Sequence, residues 1–458
     1  MLQKQYSFLP RFFQLAIASV LSNIMVPLAG LVDLAFLGHL SDIRYLAGVI
    51  LATILFDYLY RVLKPLRTST NAITAQAVGR NDAKAIILAG LRSSLIALSI
   101  GILVLLLQYP LQKIGFFILS GTPEIEAAGV DYFSARIWGA PAVLLNFVLI
   151  GWFLGQEKNT AVLLMSLLGN GLNVVFDYLM IVHWGWGSMG AGLATALSQY
   201  SALIIGLVWA GFSINWEYLL ESLKEVFDKQ ALQSILIFNG NILVRFLCLI
   251  SAYAVFTNVS ATLGTPVLAQ NGLLLQIALL NQFTVQGVGM TTQTLTGNFK
   301  GKGTTELLNP LLQVSIAVSL FISVTLAFGT ILFPQTVFGI LTNHAEVSEN
   351  VNQYILWIFP LLSITAVAFM LEGYFIGLKE AGILRNASLI AFFIGFLPFI
   401  GLAMYWHSNH FLWSALVSYM TTLMIILATQ IPKMIDLHSL ATGAAPLRVK
   451  HESTKITS

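Results

Sequence analysis

The sequence predicts an all-α integral membrane protein with twelve transmembrane helices in two six-helix lobes, related by a parallel pseudo-twofold repeat. Three observations carry this. Of the 458 residues, 57% are hydrophobic and only 9% charged, with a mean hydropathy of +0.82, where an ordinary soluble domain has roughly 25% charged residues. Apolar runs of about 20 residues, the length that crosses a bilayer as a helix, recur along the chain. The second half also repeats features of the first at a nearly constant offset. A water-soluble globule could not cover this much apolar surface, so a soluble enzyme, a disordered chain and a nucleic-acid binder are all disfavoured. The single cysteine, Cys248, excludes an internal disulfide and a cysteine-based metal site.

The runs between polar breaks lie near 12–38, 46–64, 86–109, 131–155, 160–183, 189–212, 233–257, 266–289, 308–334, 350–377, 386–406 and 410–432. The first is too long for a signal peptide, and no small-residue cleavage site ends it. A β-barrel would need strands of about 10 alternating residues. The longest polar connection, 213–232, divides an N-lobe (1–212) from a C-lobe (233–433), and a polar tail (434–458) follows.

Lys and Arg set the orientation. With the N-terminus in the cytoplasm, the inner segments hold Lys4, Arg11, Lys64, Arg67, Arg80, Lys84, Lys158, Lys224, Lys229, Lys300, Lys302, Lys379, Arg385 and Lys433. The tail adds Arg448, Lys450 and Lys455, while the outer segments hold only Arg44 and Lys113, with Arg136 just inside a helix end. This positive-inside pattern predicts a multi-pass protein of the cytoplasmic (inner) membrane with both termini cytoplasmic.

The repeat offset is about 222 residues. Tyr45-Leu46-Ala47 matches Val267-Leu268-Ala269, and Thr74–Arg80 matches Thr296–Lys302. Gly151-Trp152-Phe153-Leu154-Gly155 matches Gly373-Tyr374-Phe375-Ile376-Gly377. The offset becomes 224 at Pro110…Gly115 against Pro334…Gly339 and 219 at Leu193–Leu197 against Leu412–Leu416. Six spans per half give both halves one topology, so the repeat axis runs along the membrane normal. Two such bundles around a central cavity suit a transporter better than a channel or a membrane enzyme.

Ionisable groups inside spans are costly and mark functional candidates. Six stand out: Asp33, Asp57, Asp177, Glu372, Arg61 and Arg245. Asp33 on span one, Asp177 on span five and Thr195 on span six all lie roughly 9–11 Å below the outer surface at 1.5 Å per residue. Asn170, Asn173 and Asp177 share one face of span five, and Thr195 and Gln199 one face of span six. Ser22 and Asp33 face one side of span one if it is straight. Pro27 and Gly30 make a bend there, because proline removes a helix hydrogen bond. Carboxylates with amide and hydroxyl oxygens at one depth suit a site for H+ or Na+; the alternative is that each aspartate only hydrogen-bonds neighbouring helices. Arg136 lies at a similar depth, and pairing with either aspartate would make the site structural. Asp57 and Arg61, spaced i, i+4, read as a local ion pair with Arg61 snorkelling to the surface. Arg245, deep in span seven one turn after Asn241, needs an anion, and Glu372 on span ten is the best candidate. The pair would be a structural ion pair or an inner gate. At the 222 offset Asp33 aligns with Val255 and Glu372 with Ile150, which assigns ion coupling to the first half. There is no GxxxxGK[ST] loop for ATP and no HExxH zinc motif. No cofactor is expected beyond H+ or Na+ as coupling ion.

Pro27–Leu40, with its Pro-Leu-Ala-Gly-Leu-Val-Asp core, resembles the first span of the multidrug and toxic compound extrusion (MATE) family, DinF-like branch. Arg67-Thr68-Ser69-Thr70 with Thr74–Gly79 is similar to that branch's connection between the second and third spans. Asn173–Asp177 and Gly190–Thr195 resemble its fifth and sixth spans, and Glu372–Gly377 its tenth. The resemblance implies two lobes in a V shape and a secondary antiporter, not an enzyme, exporting small amphipathic or cationic compounds in exchange for H+ or Na+. It implies cation coupling at Asp33, Asn173, Asp177 and Thr195, with bending of span one at Pro27 and Gly30. The partners expected are such compounds and the lipid bilayer, with no nucleic acid, for a monomeric protein. Gln286 and Gln293 in span eight stand where relatives often have acidic groups, which weakens a C-lobe ion site. The alternative is a lipid-linked oligosaccharide flippase of the same superfamily, which would favour a cavity rich in Arg and Lys.

Overall fold

The computed structural model describes residues 6–38, 42–119, 122–341 and 353–442, apart from the side chains of 25–34, 43, 340–341 and 433–442. Among the described residues eleven helical segments are long and apolar enough to span a membrane, and the helix α1 (Leu9–Gly38) precedes them. The others are α2 (Arg44–Gly79), α3 (Ala83–Leu106), α4 (Pro123–Gly155), α5 (Asn159–His183), α6 (Gly187–Ser213), α7 (Lys229–Thr262), α8 (Thr265–Lys302), α9 (Thr305–Leu332), α10 (Ile355–Gly377), α11 (Ala381–Tyr405) and α12 (Asn409–Pro432). This is the predicted twelve-helix, two-lobe layout. The predicted 213–232 connection holds one short helix, Trp216–Leu223, and the last helix continues to Thr442. The tail beyond 442 lies outside the described residues.

Helix starts follow local chemistry. Asp82 accepts a bond from the Ala85 backbone at the head of α3, and Asp228 accepts one from Ala231 at the head of α7, each satisfying an orphan amide. Gly303, with φ +81°, ends α8, in a backbone region that L side chains resist.

Two predicted spans fall short of the observed helices. The run 46–64 belongs to a helix that continues past a break at Lys64 to Gly79, and the run 266–289 to one that continues to Lys302. The stretch 65–79, read from its polarity as a connection, is helix, and Arg67, placed among the inner loop cations, is buried inside the bundle. The polar residues are there because they meet one another. Asn71 accepts from the Thr294 hydroxyl at 2.9 Å, Gln293 donates to the Thr68 carbonyl at 2.7 Å, and Gln76 donates to the Gly377 carbonyl at 2.8 Å. A polar run whose partners lie on another helix stays buried.

This seam obeys the repeat. A Cβ at Gly79 would strike the Asn298 carbonyl, and one at Gly301 the Gln76 carbonyl. The two contacts exchange under the 222 shift (79 to 301, 76 to 298), so the pseudo-twofold axis passes between α2 and α8. Gly151 faces the Arg67 carbonyl and Gly373 the Gly289 carbonyl, again with both members shifted by 222. The turns after α4 and α10 place Glu157 and Lys379, another such pair, at φ +60° and +62°.

Hydrogen bonds between the halves among the described residues cluster at this one end. Besides those above, Ser69 donates to Asn239 at 2.8 Å and Lys64 to Gln286 at 2.9 Å. The helix α1 straddles the halves. Phe8, Phe12, Leu15 and Ala16 pack in the second half's core, while Arg11 pairs with Glu157 and Ser22 meets Ser166 on α5 at 2.8 Å.

Candidate functional site

In the first half the polar face of α5 is built as a ladder. The Asn170 amide donates to the Ser166 carbonyl at 2.7 Å, and one turn on the Asn173 amide donates to Asp177 Oδ2 at 3.1 Å. Asp177 is fully buried. Immediately after it the helix widens into a π-turn, Tyr178–His183, a feature that recurs at functional sites. Nothing in the residue pattern announced this turn.

The structure thus brings Asn173 and Asp177 together. The Thr195 hydroxyl donates to the Ala191 carbonyl of its own helix at 2.9 Å. Gln199 accepts from Asn146 at 3.1 Å. The side chains of Asp33, Pro27 and Gly30 lie outside the described residues. Arg136 donates to the Tyr132 hydroxyl at 2.7 Å and lies 4.6 Å from the centre of the Phe56 ring, a cation–π distance.

In the second half Arg245 and Glu372 form a buried two-pronged ion pair, with Nε to Oε1 at 2.8 Å and a second bond from Nη2 to Oε2. The guanidinium also lies 4.9 and 5.0 Å from the Phe246 and Phe369 rings. Every charged group here has a charged or aromatic neighbour, which is the condition for burying it. The pair borders a cavity of about 40 Å³ with Thr68, Gln286, Met290 and Gln293, room for a few waters. Asn241 accepts from Arg385 at 3.1 Å. Asp57 and Arg61 approach to 3.8 Å with both side chains about half exposed.

Missed from the sequence are Lys64 and Arg67, which enter the interior because α2 continues. The signal for this was the repeat itself: Thr74–Arg80 matches the end of α8, and a loop has no reason to preserve such a match.

Among the described residues no group of three His, Cys, Asp or Glu side chains could hold a metal ion.

Twelve helices in two repeated bundles, with charges buried inside each, define a membrane transporter fold. The MatE family model matches residues 18–179 and 242–400, once in each half, and the chain belongs to that family. It is 28% identical to DNA damage-inducible protein F of Escherichia coli (strain K12), over 89% of this chain and 88% of the relative. It is 25% identical to a probable multidrug resistance protein NorM of Thermotoga maritima, over 73% of each. The fold superposes on a multidrug resistance MATE family transporter in an outward-facing conformation, with TM-score 0.82 and 18% identity over 94% of this chain and 95% of that one. A MATE structure in a bent conformation gives 0.82 at 18% identity, over 95% and 96%.

Proposed function

We propose that the chain is a monomeric secondary antiporter of the inner membrane, with both termini cytoplasmic, that exports small amphipathic or cationic compounds in exchange for H+ or Na+. The observation that carries this is the buried Asp177 carboxylate held by Asn173 at the π-turn of α5. An ionisable group buried inside a membrane span is costly and marks a functional position, and a carboxylate there can take up and release H+ or Na+ reversibly. Asp33 on α1 and Thr195 on α6 belong to the same coupling site in this reading. The positive-inside rule puts the polar seam on the cytoplasmic side, so the halves are closed there and open outward. Cation uptake releases α1 to bend at Pro27 and Gly30, and α1 is suited to transmit this because its first turns pack in the other half.

The test is substrate-linked ion movement in everted vesicles. A fluorescent lipophilic cation is added to wild type, Asp33→Asn and Asp177→Asn, with and without Na+. Proton release with wild type alone supports H+ antiport at these aspartates. A response only to a Na+ gradient changes the ion. Proton release undiminished in both variants overturns the coupling site.

A further inference from the structure

Among the described residues, two cations in the seam have no anion. Lys64, at the break in α2, donates to the neutral Gln286 amide oxygen at 2.9 Å. Arg67, one turn further, is 4% exposed. Its Nη1 donates to Asn23 Oδ1 at 3.1 Å, and its Nε and Nη2 are buried without any partner. The nearby carboxylates are taken: Glu372 by Arg245 and Asp57 by Arg61. Arg61, Arg67 and Arg245 all lie close enough to Lys64 to act on its charge. Among the described residues, these four cations therefore have two carboxylates between them, one of them in the half-exposed Asp57–Arg61 pair. Unmet donors on a buried guanidinium are costly, and neutral amides supply acceptors without supplying charge.

We infer that Lys64 and Arg67 form an anion-binding site that takes the acid group (carboxylate, sulfonate or phosphate) of an amphipathic compound. Arg67 offers two adjacent donors in the planar fork that suits such groups, and Lys64 a compact charge beside them. Gln286 links the site to the neighbouring cavity, since it holds Lys64 and also lines that cavity with Arg245, Glu372 and Phe369. The compounds carried would then include acids and zwitterions as well as cations. This inference rests on the exporter reading only in taking the ligand to be the transported compound.

The test uses the full-length protein in phosphatidylcholine nanodiscs and two dyes on one naphthalene frame, a sulfonate and a trimethylammonium, followed by fluorescence titration. Wild type is expected to bind both. Lys64→Gln with Arg67→Gln should weaken the sulfonate by about tenfold or more, as charged hydrogen bonds imply, and leave the ammonium dye within about twofold. Lys64→Gln alone, which spares the buried Arg67–Asn23 contact, should weaken the sulfonate about threefold or more, and Arg67→Lys should retain most of its binding. Replacing part of the lipid with phosphatidylglycerol identifies the source. Displacement of the sulfonate assigns the site to a lipid headgroup of the same chemistry, and no displacement assigns it to the free amphiphile. Sulfonate affinity unchanged in Lys64→Gln and in the double variant overturns the site. Wild type binding only the ammonium dye overturns it and leaves the exporter reading standing. Binding neither dye overturns both.

Discussion

The two halves of the molecule share a backbone and differ in charge. Gly79 and Gly301 meet each other's helices across the axis, and Gly151 and Gly373 repeat one close approach inside each half. Yet Glu372 sits where the first half has Ile150, and Asp177 where the second has Phe399. The second half's acid is clasped by Arg245, a cation built into the protein. Asp177 accepts from the neutral amide of Asn173 on its own helix. A carboxylate already neutralised by an arginine has little need of an ion from solution. The proposed function accordingly assigns ion coupling to the first half, on a scaffold that the two halves share.

The largest effect should come from breaking that inequality on the first side. Asp177→Asn removes the charge and keeps the shape. It should abolish drug-driven proton release, a loss of about 100-fold or more, with expression unchanged on a membrane blot. On the second side, Arg245→Ala or Glu372→Ala leaves a buried charge without its partner and should cost about 3–5 kcal/mol, read as a fall in thermal stability in detergent. The double substitution Arg245→Met with Glu372→Leu should recover most of this, because two well-packed apolar groups avoid both desolvation penalties. A double variant as unstable as either single one would show that the pair is not the reason for the loss. Charge reversal, Arg245→Glu with Glu372→Arg, should likewise restore activity lost in each single variant.

The shared scaffold makes a smaller, symmetric prediction. Gly79→Ala and Gly301→Ala each drive a methyl into the other helix's carbonyl, which should cost about 1–3 kcal/mol and by similar amounts. A large difference between them in melting temperature would mean that the seam is not symmetric. The smallest effect belongs to Arg11→Ala. Its partner Glu157 is mostly buried, but Arg11 is 41% exposed, so solvent screens the pair and the loss should stay within about 1 kcal/mol.

Much of this architecture was legible because the bilayer imposes a simple rule. Long apolar runs must be helices, and the spans fell where charge and polarity interrupted them. The rule fails where protein replaces lipid as the surroundings. The ends of α2 and α8 are polar, so Thr74–Arg80 reads as a loop, although the stretch is helix packed against α8, with Gly79 against the Asn298 carbonyl and Gly301 against that of Gln76. That one misreading hid both the closed end of the molecule and the burial of Arg67. Arg245 and Glu372 were legible for the opposite reason. A cation and a carboxylate deep in one lobe must find each other, and they meet at 2.8 Å. The π-turn after Asp177 was not legible, because it depends on one backbone register shift that no residue type specifies.

The most direct test of unequal halves compares them in one assay. Drug-induced proton release is measured in everted vesicles carrying wild type, Asp177→Asn, or Arg245→Met with Glu372→Leu, at matched protein levels and with a lipophilic cation as substrate. Coupling in the first half predicts no release from Asp177→Asn and near wild-type release from the double variant. Release that survives in Asp177→Asn and vanishes in the double variant would place coupling in the second half and contradict the assignment.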